Sequence, residues 1–273
     1  MKIAAGIVLY EPDLEILLEN VTAIYKQVDI IIIIDNGSNN IDEVKKRLSI
    51  FSNIEMVENQ KNEGIAVALN QILDISIKKN MDWVLTLDQD SVVCENFINI
   101  SQKYLDLENI AIITPNILDR NDFHKEILDT KGSRYVDECI TSGSLMNLKL
   151  CNYVGKFDEK MFIDYVDFEY CYRVSKAGFK ILKNTDAILL HQLGDGEVKH
   201  IFSKNFIVAN HNCSRYYFIG KNCIYIMRKH NAYRKMVYAI FRESFLLLVY
   251  EKEKLKKFEK MCSGMWAGLW MKV

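Results

Sequence analysis

The stretch Trp83-Val84-Leu85-Thr86-Leu87-Asp88-Gln89-Asp90-Ser91 joins an apolar run to a pair of carboxylates. The apolar part predicts a buried strand. Carboxylates two residues apart at a strand end can converge once the chain leaves the sheet, and they suit a divalent cation that also binds phosphate. Open α/β proteins bind ligands at the edge where their strands end. The stretch therefore predicts metal-assisted chemistry on a phosphorylated substrate, with a solvated acidic turn as the alternative.

The chain around this stretch alternates between strand and helix patterns. This alternation is typical of βαβ units and predicts a mostly parallel sheet flanked by helices. The predicted strands are residues 2–10, 29–35, 54–57, 83–87, 110–114, 140–147 and 180–190, and the predicted helices are residues 14–26, 41–51, 65–78, 97–107 and 167–177. Residues 116–137 are polar and predict a surface insertion or a short hairpin.

The composition of this 273-residue chain is that of a globular protein. Its seven cysteines are scattered without a Cys-x-x-Cys pair, which favours reduced thiols in the cytoplasm over a zinc ribbon or a disulfide framework. We expect no signal peptide, because the N-terminus lacks the usual h-region and cleavage site. We expect no transmembrane span, because the apolar runs are too short. The net charge is −1, yet residues 215–260 hold twelve Lys or Arg against four Asp or Glu, which predicts contact with an anionic surface.

Polar residues follow the first four predicted strands. They are Tyr10-Glu11-Pro12, Asp35-Asn36-Gly37-Ser38, Asn62-Glu63-Gly64 and Asp88-Gln89-Asp90. In a parallel sheet these groups share one edge, where they could hold a nucleotide. Asp35 would accept a hydrogen bond from a base, the backbone near Gly64 would approach the ligand closely, and Asp90 would hold the metal. The glycine-rich motifs of dinucleotide-binding proteins and of P-loops are absent from the sequence.

A second acidic cluster is Asp164-Tyr165-Val166-Asp167-Phe168-Glu169, at a predicted helix start. The helix dipole favours acids there, so a purely structural role stays open. The alternative is a general base, because a carboxylate beside a phosphate-bearing ligand can take a proton from a hydroxyl. His191 ends the strand predicted over residues 180–190, where it is either structural or in contact with the metal or a diphosphate.

Taken in order, these motifs resemble the inverting glycosyltransferases of family 2, which have the nucleotide-sugar-binding GT-A fold. The matching segments are Ile7 to Pro12, Ile34 to Ser38, Asn62 to Asn70, Leu87 to Ser91, Ser142 to Ser144 and Phe162 to Arg173. The form of the two acidic motifs is most similar to that of bacterial rhamnosyltransferases. We therefore expect an α/β GT-A domain with a Rossmann-like sheet over residues 1–205, and a helical basic extension over residues 206–273.

The resemblance implies a role for each matching residue. Asp167 would be the catalytic base, although Val166 stands where the family commonly has Glu. A divalent cation, Mg²⁺ or Mn²⁺, would be held by Asp88, Asp90 and His191. The residues implied to bind the donor are Tyr10, Glu11, Asp35, Asn62, Gly64, Asp88, Gln89, Ser144, Glu169 and Arg173.

The implied reaction is a direct displacement with inversion. The expected donor is dTDP-β-L-rhamnose, which would give an α-L-rhamnoside on a saccharide acceptor, lipid-linked, in the synthesis of bacterial surface polysaccharide. Three alternatives stay open. They are a transferase for another nucleotide sugar, such as a UDP-hexose or galactofuranose donor, a nucleotidyltransferase, and a catalytically silent scaffold that binds sugar nucleotides.

The C-terminal stretch over residues 233–261 spaces apolar residues among lysines and arginines, and Trp266 and Trp270 follow it. This pattern predicts an amphipathic helix that packs on the catalytic domain, docks on anionic lipid or forms a homodimer contact. The expected location is the cytoplasm, peripheral on the inner face of the plasma membrane. We expect no nucleic-acid partner.

Overall fold

The computed structural model describes residues 1–120, 131–191, 197–201, 204–208 and 211–273. The strands are β1 (Ile3–Leu9), β2 (Ile30–Asp35), β3 (Ile54–Glu58), β4 (Trp83–Asp88), β5 (Val92–Val93), β6 (Ile110–Asp119), β7 (Ser133–Val136), β8 (Ser144–Asn147), β9 (Lys180–His191), β10 (Glu197–Ile201) and β11 (Lys204–Val208). The helices are α1 (Leu14–Tyr25), α2 (Ile41–Leu48), α3 (Ile65–Lys78), α4 (Phe97–Leu105), α5 (Leu148–Val154), α6 (Val166–Lys176), α7 (Cys213–His230), α8 (Tyr233–Tyr250) and α9 (Lys254–Trp270).

The central sheet is mixed and mostly parallel among the first four strands. Its order is β3-β2-β1-β4-β8-β6-β9-β5, with β7 beside β9. The strands β1 to β4 pair in parallel, and Val8 lies opposite both Ile34 and Asp88. Their carboxyl ends therefore meet at one edge, as the sequence predicts. The strand β8 is antiparallel to β4 and β6, so the parallel block of β1 to β4 ends there, and β6 and β9 form a further parallel pair.

The core lies between this sheet and helices on its two faces. The run Ile30–Ile34 is buried almost throughout, as expected for a strand covered on both sides. One face of β1, with Ile7, packs against Leu17 of α1 and Phe97 of α4 in one apolar cluster. Helix α3 covers the opposite face of β1 and β2. Helices thus cover both faces of this part of the sheet and leave its carboxyl edge to the loops.

The strand predicted over residues 140–147 begins only at Ser144, because the chain turns at Gly143. The φ of Gly143 is +79°, a conformation that other residues rarely adopt. Its N–H donates to the carbonyl of Thr86 at 2.8 Å. A Cβ here would lie 2.8 Å from Pro115 Cγ, so the turn also requires a residue without a side chain. The short elements β5 and α5 were not predicted.

The polar segment 116–137 contains more strand than the sequence indicates. The strand β6 continues through it as far as Asp119, and β7 pairs antiparallel with β9. Residues 121–130 of this segment lie outside the described residues. The segment therefore adds to the sheet at both of its ends.

Contacts divide the chain into two compact units. The first comprises residues 1–160 and 170–192, and it holds the central sheet. The second comprises residues 161–169 and 193–273, in which the β10–β11 hairpin and α7 to α9 are described. This division differs from the boundary expected after residue 205, chiefly because residues 161–169 group with the C-terminal helices. The division into domains at residue 205 stays a prediction.

The second unit is built on a close contact between α7 and α9. A Cβ on Gly264 would lie 1.9 Å from the carbonyl oxygen of Tyr217, so the two helices approach at backbone distance. The pattern over residues 233–261 forms two helices rather than one, because the chain breaks at the buried Glu251. This carboxylate accepts hydrogen bonds from Lys257 Nζ at 2.6 Å and from the Tyr216 hydroxyl. Across the described ranges, the helices are all too short or too polar to cross a membrane.

Candidate metal and nucleotide site

Hydrogen bonds join the loops at the carboxyl edge of the parallel strands. The N–H of Tyr10 donates to Gln89 Oε1 at 2.8 Å, and Gln89 Nε2 donates back to the Tyr10 carbonyl at 3.2 Å. Glu11 Oε1 accepts from the backbone N–H and the side-chain Nδ2 of Asn39, at 3.1 and 2.6 Å. The loops that follow β1, β2 and β4 are therefore held together as one surface.

Asp35 and Asn36 organise the loop after β2 and the start of α3. Asp35 is buried, and its Oδ2 accepts from the N–H groups of Gly37 and Ser38, each at 3.0 Å. Asn36 Nδ2 donates to the carbonyl of Gly64 at 3.2 Å. Asn36 belongs to the motif Asp35-Asn36-Gly37-Ser38, yet the sequence predicts no separate role for it. A buried amide after a strand end is the signal that identifies it.

The predicted donor residues Asn62 and Gly64 form a single turn at the start of α3. Asn62 Oδ1 accepts from the N–H of Gly64 at 2.9 Å. The φ and ψ of Gly64 are 90° and 164°. The contacts of Tyr10, Glu11, Asp35, Asn62, Gly64 and Gln89 with a donor stay predictions, and their position along one edge of the sheet is compatible with that role.

The three residues predicted to bind metal converge. Asp88, Asp90 and His191 each offer one ligand atom, and these atoms lie within 4.8 Å of one another. Two local features bring them together. After β4, the N–H of Ser91 donates to the carbonyl of Asp88 at 3.2 Å, which closes a turn around Asp90. The short strand β5 then pairs antiparallel with β9, with Val92 opposite Leu190, and this pairing delivers His191 to the turn.

A chain of buried hydroxyls connects the acidic turn with the imidazole. The N–H of Asp88 donates to Ser142 Oγ at 3.0 Å, and the Ser142 hydroxyl donates to Ser91 Oγ at 2.7 Å. Ser91 Oγ lies 2.7 Å from His191 Nδ1. On the other side of the turn, Asn20 Nδ2 donates to the Asp88 carbonyl at 2.8 Å. These residues orient the three candidate ligands, and none of them has a role predicted from the sequence.

The cluster carries negative charge that favours a cation. His191 Nδ1 lies 3.4 Å from Asp90 Oδ1, and only 13% of the His191 side chain is exposed. Burial by itself lowers the pKa of His191, but the neighbouring carboxylates of Asp90 and Asp88 outweigh it, so the pKa lies above its ordinary value. The imidazole thus responds to a local field that would also attract a metal ion.

The donor set fits a divalent metal ion. Asp90 Oδ1 is buried and has no hydrogen-bond partner within the part of the chain that the structure describes. A buried carboxylate oxygen normally has a partner, so this atom is compatible with metal coordination. Two carboxylates and one imidazole match the ligand preferences of Mg²⁺ and Mn²⁺ more closely than those of thiophilic ions.

The second acidic cluster lies in the second unit. Asp167 stands in the first turn of α6 and is partly buried. Asp164 Oδ1 lies 2.9 Å from Arg215 Nε. Glu169 is fully buried, and its Oε1 lies 2.8 Å from Lys229 Nζ. Asp164 and Glu169 are therefore paired with cationic side chains of α7, and the donor contact expected of Glu169 stays a prediction.

Two other residues predicted to bind donor have structural contacts. Arg173 Nη1 donates to the carbonyl of Val154 at 3.0 Å. Ser144 is buried, and its hydroxyl donates to the carbonyl of Ile140 at 2.6 Å. Their donor contacts also stay predictions. In the Ser-Gly-Ser motif, it is Ser142 that contacts the acidic turn.

Comparison with known proteins identifies the family of the chain. Residues 7–161, more than half of the chain, match the model of glycosyl transferase family 2. The chain belongs to this family. This glycosyltransferase is 28% identical over 279 residues to the dTDP-rhamnosyl transferase RfbF of Shigella flexneri. The alignment covers 95% of this chain and 92% of the relative. Residues 7–161, which match the family model, contain the strand-end loops and the Asp88–Asp90 turn.

Solved structures of other glycosyltransferases share the fold. The mannosyltransferase PcManGT from Pyrobaculum calidifontis, in complex with GDP-Man and Mn²⁺, has a TM-score of 0.61 at 12% identity, covering 100% of this chain and 76% of that one. GalNAc-T7 with UDP, GalNAc and Mn²⁺ has a TM-score of 0.58 at 14% identity. The match covers 70% of this glycosyltransferase and 44% of GalNAc-T7, so the chain spans less than half of that protein. The predicted GT-A fold is confirmed.

Proposed function

We propose that this glycosyltransferase transfers L-rhamnose from dTDP-β-L-rhamnose to a hydroxyl of a saccharide acceptor, with inversion at the anomeric carbon. The observation that carries the proposal is the convergence of Asp88, Asp90 and His191 beside the nucleotide-binding edge of the sheet. The similarity to a dTDP-rhamnosyl transferase along 95% of the chain supports the choice of donor.

Asp88, Asp90 and His191 hold a divalent cation in this proposal. Asp90 is the direct carboxylate ligand, since its buried Oδ1 has no hydrogen-bond partner among the described residues. When bound, Mg²⁺ or Mn²⁺ would offset the charge that develops on the leaving diphosphate. The Mn²⁺ present in the structures of PcManGT and GalNAc-T7 supports a cation in a GT-A site.

Asp167 is the general base in this proposal. It removes the proton from the acceptor hydroxyl, whose oxygen attacks the anomeric carbon on the face opposite the diphosphate. The bond from that carbon to the diphosphate oxygen breaks, and its electron pair leaves with the diphosphate. The place of Asp167 in the Asp164–Glu169 motif supports this choice, because the resemblance to family 2 glycosyltransferases implies a base at Asp167, in the first turn of α6.

The proposed acceptor is lipid-linked, which places the enzyme peripherally on the inner face of the plasma membrane. The support comes from α8, whose side chains Val237, Phe241, Phe245 and Leu248 are 57%, 70%, 42% and 41% exposed. Their spacing of four, four and three residues puts them on one helix face. The exposed charged side chains of α8 are all basic: Arg234, Lys235 and Arg242. A basic helix with an exposed apolar face suits an anionic lipid surface.

The donor assignment is tested by thermal shift with a panel of nucleotide sugars, each with Mn²⁺, with Mg²⁺ and without metal. A ligand that binds only the folded state raises the apparent melting temperature. We expect dTDP-rhamnose to give the largest shift, and only with a metal present. A larger shift with a UDP-hexose would change the donor. Binding without transfer to an acceptor or hydrolysis of the donor would support the silent scaffold.

The membrane assignment is tested by co-sedimentation with vesicles that contain or lack anionic lipid. Binding should need anionic lipid and should fall with salt, because salt screens the contacts of the basic residues. The double variant Phe241→Ser with Phe245→Ser should bind less, whereas Tyr153→Ser, which alters an exposed aromatic side chain of α5, should not. If the double variant instead dissociates a dimer and vesicle binding is absent from wild type, this face is a homodimer contact.

A further inference from the structure

The segment that precedes the proposed base has an unusual backbone. We call residues 161–169 the base segment. Its two consecutive residues Asp164 and Tyr165 have φ values of 64° and 63°. Residues with a side chain rarely adopt this left-handed conformation, and it persists only where surrounding contacts hold it in place. The strained pair lies immediately before α6, so the backbone that enters the helix is set by whatever stabilises this turn.

Asn222 of α7 supplies two of the stabilising contacts. Its Nδ2 donates to the carbonyl of Ile163 and to the carbonyl of Asp164, each at 2.8 Å. The Asn222 side chain is fully buried. Both N–H donors of one amide group are therefore used on the two successive carbonyls at the strained turn.

Arg215 of α7 supplies a third contact to the turn, and Phe218 of the same helix contacts the base segment at Phe162. Arg215 Nε donates to Asp164 Oδ1 at 2.9 Å. The ring of Phe218 stacks on the ring of Phe162 with centroids 5.0 Å apart. Arg215, Phe218 and Asn222 are separated by three and four residues, so they lie on one face of α7. The base segment thus packs along one face of this helix.

We propose that Asn222 and Arg215 are positioning residues for Asp167. They act by holding the Asp164–Tyr165 turn, and hence the first turn of α6, in the conformation that directs the Asp167 carboxylate. This inference rests on the proposed function, in which Asp167 is the base. Misplacing a catalytic group by about 1 Å can cost on the order of 100-fold in rate. The contacts of Asn222 and Arg215 therefore matter for turnover although neither residue is assigned to substrate.

The first test is Asn222→Ala, which removes both donors to the turn. We expect kcat for transfer to fall by about 10- to 100-fold. The KM and the calorimetric Kd of the donor should stay within about twofold, because the candidate metal ligands and the strand-end loops lie outside the base segment, in which Glu169 alone is predicted to contact the donor. A residue that is merely structural would lower the amount of folded enzyme without this separation of kcat from KM. A kcat within twofold of wild type would overturn the role of Asn222.

Arg215→Met provides a milder variant in case Asn222→Ala does not fold. This substitution removes the ion pair with Asp164. The Arg215 side chain is 41% exposed, so its loss should disturb packing less than the loss of the buried Asn222 amide. We expect a lower kcat, restored in large part by Arg215→Lys, which keeps the positive charge. The matched control is Arg228→Met on the same helix, whose Nη1 donates to the carbonyls of Gly268 and Met271 in and after α9. The control should lower the melting temperature and leave kcat unchanged. Equal loss of kcat in both Arg→Met variants would overturn the proposal.

A double-mutant cycle separates this inference from the identity of the base. If Asn222 acts through Asp167, the loss caused by Asn222→Ala should largely disappear in an Asp167→Asn background. Fully additive losses would overturn the positioning role and leave Asp167 as base. An Asp167→Asn enzyme with wild-type turnover would overturn the base assignment itself. An inactive Asp167→Asn enzyme beside a fully active Asn222→Ala enzyme would reject only the positioning role.

Discussion

The two acidic clusters of this glycosyltransferase are held in place by different kinds of contact. The Asp88–Asp90 turn is positioned by the end of β4 and by the pairing of β5 with β9, both of which are backbone features of the sheet. The Asp164–Glu169 cluster is positioned by side chains of α7, such as Arg215, which is 51 residues away from Asp164 in sequence. Strand ends and backbone pairing therefore position the candidate metal ligands, whereas the proposed base depends on specific distant side chains.

The largest effect should come from Asp167→Asn, which tests whether the second cluster contains the base. Asparagine keeps the shape of the side chain and removes its basicity. Transfer should fall by about 10²- to 10⁴-fold while donor affinity stays near wild type. Turnover and donor affinity must be measured separately, by initial rates and by calorimetry. Normal transfer in this variant, with loss of transfer in Asp164→Asn or Glu169→Gln, would assign the base to one of those carboxylates instead.

The next effect should come from Asp90→Ala, which tests the first cluster. This variant removes a carboxylate of the candidate metal cluster, so the metal-dependent part of donor binding should be lost. Calorimetric titration of Mn²⁺ and of the nucleoside diphosphate measures this loss. Wild-type enzyme treated with a chelator should show the same donor affinity as the variant. Unchanged affinity for both ligands in Asp90→Ala would overturn the metal site.

A smaller effect should come from Ser142→Ala, with Ser144→Ala as its matched partner. Ser142 bonds to Asp88 and Ser91, whereas the Ser144 hydroxyl bonds to the Ile140 carbonyl. Loss of a residue that orients metal ligands typically lowers metal affinity by about 10- to 100-fold. We therefore expect weaker Mn²⁺ binding in Ser142→Ala alone.

The Ser144 variant also decides a prediction from the sequence. If Ser144→Ala binds Mn²⁺ normally but loses donor affinity, Ser144 contacts the donor as the resemblance implies. Equal loss of metal affinity in both variants would mean that the hydroxyl chain through Ser142 has no special role.

The smallest effect on turnover should come from Glu169→Gln, which alters the second cluster without touching Asp167. The buried Glu169 pairs with Lys229 Nζ at 2.8 Å and lies 3.1 Å from His230 Nε2. Hydrogen bonds to charged groups contribute roughly 1.5–3 kcal/mol, so the free energy of unfolding in urea should fall by about that amount. Folded enzyme should keep most of its kcat. A loss of kcat as large as that of Asp167→Asn, at unchanged stability, would give Glu169 a catalytic role.

Much of the first unit follows from local patterns. Continuous β-branched runs, helix spacing and polar strand ends predict the parallel strands, their flanking helices and the position of Asp88 and Asp90. The resemblance implies a metal role for His191, and the pairing of β5 with β9 explains why it lies beside Asp90. The turn at Gly143 escaped prediction because residues 140–147 have a strand-like composition, whereas close approach to Pro115 and Leu189 prevents a straight strand.

Local sequence patterns are enough to predict the α/β fold and the position of Asp88 and Asp90 at one sheet edge, because the ends of parallel strands share that edge whatever lies elsewhere. The ordered motifs identify the family. How the segment with the proposed base is held depends instead on contacts between residues far apart in the sequence. The left-handed backbone at Asp164 and Tyr165 has no local cause in non-glycine residues, and it persists through contacts with α7. The Ser-Gly-Ser motif gives a second example. Ser142 contacts the Asp88–Asp90 turn and Ser144 does not, because the two side chains point in different directions at the Gly143 turn. The spacing of residues in the sequence does not encode these directions.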